Sequence, residues 1–245
     1  MNVQFEKDDI FTRPQTEDEP FVFDDRVAEV FPDMVRRSIP GYYDVLEMTT
    51  LFASRFAQPN SCYYDLGCSL GASLWAMDRG IDQPNAKLVG VDNSPAMIRR
   101  CKVLLKDRIK SPALHLICAD VQAVTIANAA MVVLNYTLQF VPQDHRADLV
   151  QRIFNGLKPG GALLLSEKVR FEEEQEQAFQ VDSYHAFKQF NGYSQMEISR
   201  KRNALENVLV PDTIEVHKQR LRQAGFRSVH LWFQYFNFVS LVAVK

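Results

Sequence analysis

Asp65-Leu66-Gly67-Cys68-Ser69-Leu70-Gly71 follows one apolar run, and Asp92 closes the next, 27 residues after Asp65. Gly67 lets the chain turn sharply as it leaves a strand, and Gly71 lets the following helix pack close to the sheet. An acid ending the second strand can accept both hydroxyls of a ribose. The pair therefore predicts an adenosine-bearing ligand lying across the strand ends. A strand-to-helix turn that binds nothing is the plainer reading, but the run of small residues and the acid that follows weigh against it. Asp92 could instead cap a helix. Asn93 or Ser94 can do that in Asp92-Asn93-Ser94-Pro95, with the proline in the first turn, which leaves Asp92 for the ribose.

The elements that must position these residues alternate. Cys62–Asp65 reads as a strand, Gly71–Arg79 as a helix, Lys87–Asp92 as a strand, and Ser94 to about Leu105 as a helix. Strands follow at Leu114–Cys118 and Ala130–Leu134, then a helix at Arg146–Leu157 and a strand at Ala162–Ser166. Such alternation predicts a doubly wound, mostly parallel sheet. Upstream, residues 1–22 read as a mobile tail, Arg26–Phe31 as a short helix before Pro32, and Tyr42–Phe56 as a helix. Residues 23–245 read as one domain, with a charged helical insert, or lid, at about 171–210. The chain ends in two apolar runs, Val229–Phe236 and Phe238–Val244, too close together to be parallel neighbours.

Bulk properties exclude several classes. The 245 residues carry 28 Lys and Arg against 30 Asp and Glu, a net charge of -2. That balance gives no basic face for direct nucleic-acid binding. No apolar segment approaches the ~20 residues of a membrane-spanning helix. Cys62, Cys68, Cys101 and Cys118 show no paired spacing and read as reduced, buried thiols of a cytoplasmic protein. The five histidines show no metal-ligand spacing, so no metal is expected.

A parallel sheet closed by an antiparallel C-terminal hairpin resembles the Rossmann-like fold of the class I S-adenosyl-L-methionine-dependent methyltransferases, with seven strands. D-x-G-x-S-x-G also departs from the G-x-G-x-x-G of dinucleotide enzymes. Read against that resemblance, Asp65 can face the ammonium of the ligand's methionine end, and the N–H groups of the turn with Ser69 can face its carboxylate. Asp120 and Val121, after the third strand, can meet the adenine edge; an ordinary turn acid explains Asp120 equally well. Asn135, in Leu134-Asn135-Tyr136-Thr137-Leu138-Gln139-Phe140, ends the fourth strand beside the sulfonium. It is neutral and no general base. The insert holds His185, Lys188, Tyr193, Arg200, Lys201 and Arg202. Most charges in such a run are solvated face, but an arginine aimed at the cleft would suit a carboxylate. Spacing does not choose between Arg200 and Arg202.

Further motifs narrow the resemblance. Phe31-Pro32-Asp33-Met34, Ser38-Ile39-Pro40-Gly41-Tyr42, Asn191-Gly192-Tyr193-Ser194, Lys201-Arg202 and Leu205-Glu206-Asn207-Val208 stand in order with those above. The chain resembles the carboxy-S-adenosyl-L-methionine synthases of bacterial tRNA wobble-uridine modification, over roughly residues 24 to 245. The resemblance implies a transferase that converts S-adenosyl-L-methionine, as substrate, and prephenate to carboxy-S-adenosyl-L-methionine and phenylpyruvate. The sulfonium methyl then loses a proton and acts as a nucleophilic ylide, with prephenate supplying hydroxide as base and carbon dioxide as electrophile. The resemblance also implies ligand contacts at Tyr42, Gly67, Cys68, Ser69, Asp92, Asn93, Asp120, Val121 and Asn135. It makes Arg202 the residue that meets the transferred carboxylate, and it implies a homodimer. The competing readings are an ordinary methyltransferase acting on a small molecule or tRNA, and a non-catalytic ligand-binding protein.

Overall fold

The computed structural model describes residues 6–12, 21–110, 113–205 and 208–245. The rest of the expected tail, and Glu206 and Asn207, lie outside the described residues. Two helices lead in, α1 (Asp25–Ser38) and α2 (Tyr42–Arg55). Strands and helices then alternate as β1 (Cys62–Leu66), α3 (Ala72–Gly80), β2 (Lys87–Asp92), α4 (Pro95–Leu105), β3 (Leu114–Cys118), β4 (Ala129–Asn135), α5 (Arg146–Gly156) and β5 (Leu157–Lys168). The insert is α6 (Glu174–Phe190) and α7 (Gln195–Leu205), and α8 (Ile214–Gln223), β6 (Ser228–Tyr235) and β7 (Phe238–Val244) complete the chain.

The seven strands lie in the order β3-β2-β1-β4-β5-β7-β6. β1 to β5 are parallel, whereas β7 runs antiparallel between β5 and β6. Strand order reverses between β1 and β4, which opens a crevice at their C-terminal ends. The central strands are buried on both faces, as near-continuous apolar runs should be. Leu66, Val132, Leu134 and Leu165 pack into one core layer; Tyr63, Leu88, Met131 and Leu164 pack into the other. β3 is an edge strand, so Cys118 is exposed rather than buried as expected. All four thiols are free.

Two expectations are corrected. Pro32 does not end the first helix. Asp24 caps it by accepting from the Val27 N–H at 2.9 Å, and the helix runs on to Ser38. Burial of Val27, Val30, Met34 and Val35 offsets the ~3 kcal/mol that an internal proline costs. The second correction concerns the tail, of which residues 6–12 are packed. Ile10 and Phe11 join the core beside Val27, Val30 and Met34. Asp8 is 1% exposed, and its backbone N–H donates to Asp33 at 2.9 Å. Two apolar side chains and a buried acid hold a segment whose composition reads as loose.

Candidate functional site

The turn after β1 is built as its glycines require. Gly67 has φ +83°, and a Cβ there would stand 2.2 Å from Thr137 Oγ1. A Cβ on Gly71, also at positive φ, would meet Leu105 at 2.6 Å, so glycine seats α3 against α4. The backbone N–H groups of Gly67 and Cys68 donate to the Val91 carbonyl at 2.8 and 2.9 Å. Ser69 N–H donates to Asp92 Oδ2 at 2.8 Å, and Gly71 N–H to the Cys68 carbonyl at 2.8 Å. These four donors hold the turn itself and do not face a ligand carboxylate, contrary to expectation. Three of them fasten the turn to β2, and the Gly71 N–H closes the turn on itself.

Asp92 accepts from Ser69 N–H and, through Oδ1, from Ser94 N–H at 2.9 Å, leaving further lone pairs for a ribose. Burial raises its pKa above the usual carboxylate range. The cap of α4 falls to Ser94, which accepts from Met97 N–H at 3.1 Å. Asn135 is held from both sides. Its Nδ2 donates to Ser73 Oγ at 2.9 Å, and its Oδ1 accepts from Ser166 Oγ at 2.7 Å, which contacts Ser240 Oγ at 2.6 Å. A hydroxyl relay across β4, β5 and β7 thus orients a neutral amide at the mouth of the crevice.

A cleft of about 1270 Å³ runs along these strand ends. Tyr42, Gly67, Cys68 and Ser69 line it. Asp92, Asn93, Asp120, Val121 and Asn135 continue the wall. Asp65 is the exception. Its carboxyl is 2% exposed beneath the turn, and it is not part of the cleft wall. Burial, then the nearby Asp92 charge, pushes its pKa up to about 8, and Oδ2 has no hydrogen-bond partner among the described residues. The N–H of Leu74 donates to Asp65, which ties the end of β1 to α3.

The lining also carries cations. It includes Lys168 from the end of β5, His185 and Lys188 from α6, and Lys201 and Arg202 from α7. The structure separates the two arginines that spacing leaves equivalent. Arg202 is exposed on the cleft wall, whereas Arg200 Nη1 donates to the carbonyls of Phe11 and Thr12 at 3.1 and 2.8 Å. Tyr193 lies outside the cleft wall; its hydroxyl donates to Asp8, and Arg37 stacks 3.8 Å above its ring. Lys201 Nζ donates to Ser38 Oγ at 2.9 Å and pairs with Asp8 at 3.6 Å. Burial still lowers the Lys201 pKa to about 8, and burial with Lys201 and Lys168 nearby lowers that of Lys188 to about 7.

Sequence reasoning misses Lys168, Tyr136 and Asp8. Lys168 had a signal, because it closes a strand in a sheet whose strand ends carry the site. Tyr136 adopts φ +60°, a left-handed conformation uncommon for a bulky residue, and its buried hydroxyl has no hydrogen-bond partner among the described residues. Only the tertiary fold reveals that. Among the described residues, no group of three or more His, Cys, Asp or Glu is gathered to hold a metal, and no helix is long and apolar enough to cross a membrane.

The sheet order, the antiparallel hairpin and the strand-end turn define a class I methyltransferase fold. A family model described as a methyltransferase domain matches residues 64–161. The fold is similar to that of an O-methyltransferase family protein from Burkholderia thailandensis, with TM-score 0.67 and 18% identity, over 96% of this chain and 66% of that one. It is also similar to human N-acetylserotonin methyltransferase in complex with SAM, with TM-score 0.59 and 16% identity, over 90% and 55% of the two chains. The chain belongs to the carboxy-S-adenosyl-L-methionine synthase family, a family of enzymes. It is 53% identical to the carboxy-S-adenosyl-L-methionine synthase of Geobacter sp. (strain M21), over 97% of this chain and 98% of that protein. It is 49% identical to the synthase of Histophilus somni (strain 2336), over 98% and 99%.

Proposed function

We propose that the protein converts S-adenosyl-L-methionine and prephenate to carboxy-S-adenosyl-L-methionine, phenylpyruvate and water. One observation carries this reading: a single cleft is lined both by the acids Asp92 and Asp120 and by the cations Lys168, Lys188 and Arg202. The sulfonium substrate is cationic at its reacting end, and prephenate is a dianion. One cleft lined by both signs of charge therefore suits both. The fit to the sulfonium substrate also rests on Gly67, where any side chain would fill the turn, and on Asn135, fixed at the β4 end. Asn135 supplies no base. In this reaction the departing hydroxide of prephenate takes the methyl proton, so none is required of the protein. Arg202 is the residue proposed to hold the transferred carboxylate through its two-pronged guanidinium.

The product then serves as carboxymethyl donor to a separate transferase acting on tRNA wobble uridine. The present chain, with net charge -2, need not touch tRNA or membrane and works in the cytoplasm. It acts as a homodimer. Phe179 and Phe190, eleven positions apart on one face of α6, are 63% and 90% exposed, which supports pairing through the insert. The deciding experiment incubates the protein with both substrates and follows products by mass. S-adenosyl-L-methionine heavier by one CO₂, appearing with stoichiometric phenylpyruvate, is the expected result. Methylated products without the carboxylated compound would instead establish an ordinary methyltransferase.

A further inference from the structure

Two ammonium groups in the cleft lack the anion that their burial demands. Lys188 is 4% exposed and Lys168 is half-buried. Their Nζ atoms lie 5.1 and 5.0 Å from the centre of the same Tyr184 ring. Neither Nζ has a hydrogen bond or ion pair among the described residues. Lys201, by contrast, is matched by Asp8 and Ser38. Two like charges sharing a desolvated pocket are costly unless an anion joins them. Tyr184 also belongs to an aromatic cluster with Tyr136 and Phe238, at ring separations of 5.1 and 5.9 Å around Phe238. Tyr136 contributes a buried hydroxyl without a partner. The same few residues thus offer an aromatic wall of edge-to-face rings and, among the described residues, one unpartnered hydroxyl and two unpartnered cations.

We propose that Lys168 and Lys188 form the subsite for the carboxylate of the second substrate that survives the reaction, with its six-membered ring against Tyr136, Tyr184 and Phe238. The proposal rests on the reading of the second substrate as prephenate. Which carboxylate they hold follows from charge flow. The ring carboxylate leaves as carbon dioxide; its bonding pair aromatises the ring and expels the ring hydroxyl as hydroxide. Hydroxide takes the methyl proton as water, and the methyl carbon bonds to carbon dioxide. A lysine paired to the leaving carboxylate would stabilise a charge that vanishes in the transition state and would slow the step. The 2-oxo acid carboxylate keeps its charge throughout, so a tight ion pair there anchors without that penalty. Arg202 then remains free for the newly attached carboxylate.

Lys168→Met and Lys188→Met are to be assayed separately, beside wild type. Each should raise KM for prephenate by about tenfold to hundredfold while KM for S-adenosyl-L-methionine stays within about twofold. Phenylpyruvate, which retains only the anchored carboxylate, should lose calorimetric affinity to the same degree, and carboxy-S-adenosyl-L-methionine should not. Lys188→Arg should recover much of the loss. An unchanged KM for prephenate, or equal weakening of both products, overturns the subsite. If wild type fails to consume prephenate, the proposed function falls instead, and phenylpyruvate binding alone decides the subsite. If the variants do not fold, wild-type acetylation mapped by peptide mass decides. Phenylpyruvate should protect both lysines, and unchanged labelling overturns the proposal.

Discussion

Gly67 and Arg202 both line the cleft, and each makes a separate prediction. At Gly67 both φ and the Thr137 hydroxyl exclude a side chain. Gly67→Ala should cost about 1–3 kcal/mol in denaturant unfolding and weaken S-adenosyl-L-methionine, because the turn must swing away from Thr137. Unchanged stability would show that the turn has slack. Arg202→Lys keeps the charge and loses the fork. Titration calorimetry should show carboxy-S-adenosyl-L-methionine weakened about tenfold or more, with plain S-adenosyl-L-methionine nearly unaffected. Equal loss for both ligands would remove the carboxylate role. The small residues of the turn and the acid at Asp92 are legible in the sequence because their backbone demands are local. Which arginine enters the cleft is not legible, since it depends on how residues 11 and 12 engage Arg200.

β5 shows what an element carries beyond its strand. Successive side chains point to opposite faces, so Glu167 and Lys168 serve different surroundings. Glu167 is fully buried and accepts from the N–H groups of Leu138 and Gln139 at 2.8 and 2.9 Å, fixing the segment after β4. Burial pushes its pKa from 4.5 up to about 8. Its contribution to stability is therefore fullest below about pH 4.5 and is lost as pH rises through about 8. Relative to Glu167→Gln, the wild type should lose at least about 1 kcal/mol of stability between pH 5 and 9. Parallel denaturant titrations of the two proteins check this, and a pH-independent difference would contradict it. Strand placement is readable from apolar runs and turn residues, and the strands fall within a few residues of expectation except at β5. There the strand begins early, with Leu157 paired to Ala129, and Lys158–Gly161 interrupt the pairing until it resumes at Ala162. Pro32 yields to packing of the helix around it.

For the whole molecule, the insert is the outermost feature and the one least determined by local pattern. Light scattering should give twice the chain mass, and Phe190→Glu, at a side chain 90% exposed in the single chain, should shift it toward one. A monomeric wild type would contradict the pairing. The sheet architecture could be anticipated because alternation and the closing hairpin admit few topologies. The role of residues 6–12 could not, because a short polar segment gains its fixed position only from distant partners. Asp8 meets Tyr193 across 185 residues of chain. That separation has a consequence in time. The Ser94 cap closes over 3 residues and the turn at Gly67 is tied to β2 across 23, from Ser69 to Asp92, but the insert with Lys188 and Arg202 is fastened to Asp8 across 185. Long-range closure of this kind comes late. A nascent or refolding chain should thus acquire affinity for S-adenosyl-L-methionine before affinity for the acid, and stopped-flow refolding with each ligand would register the interval.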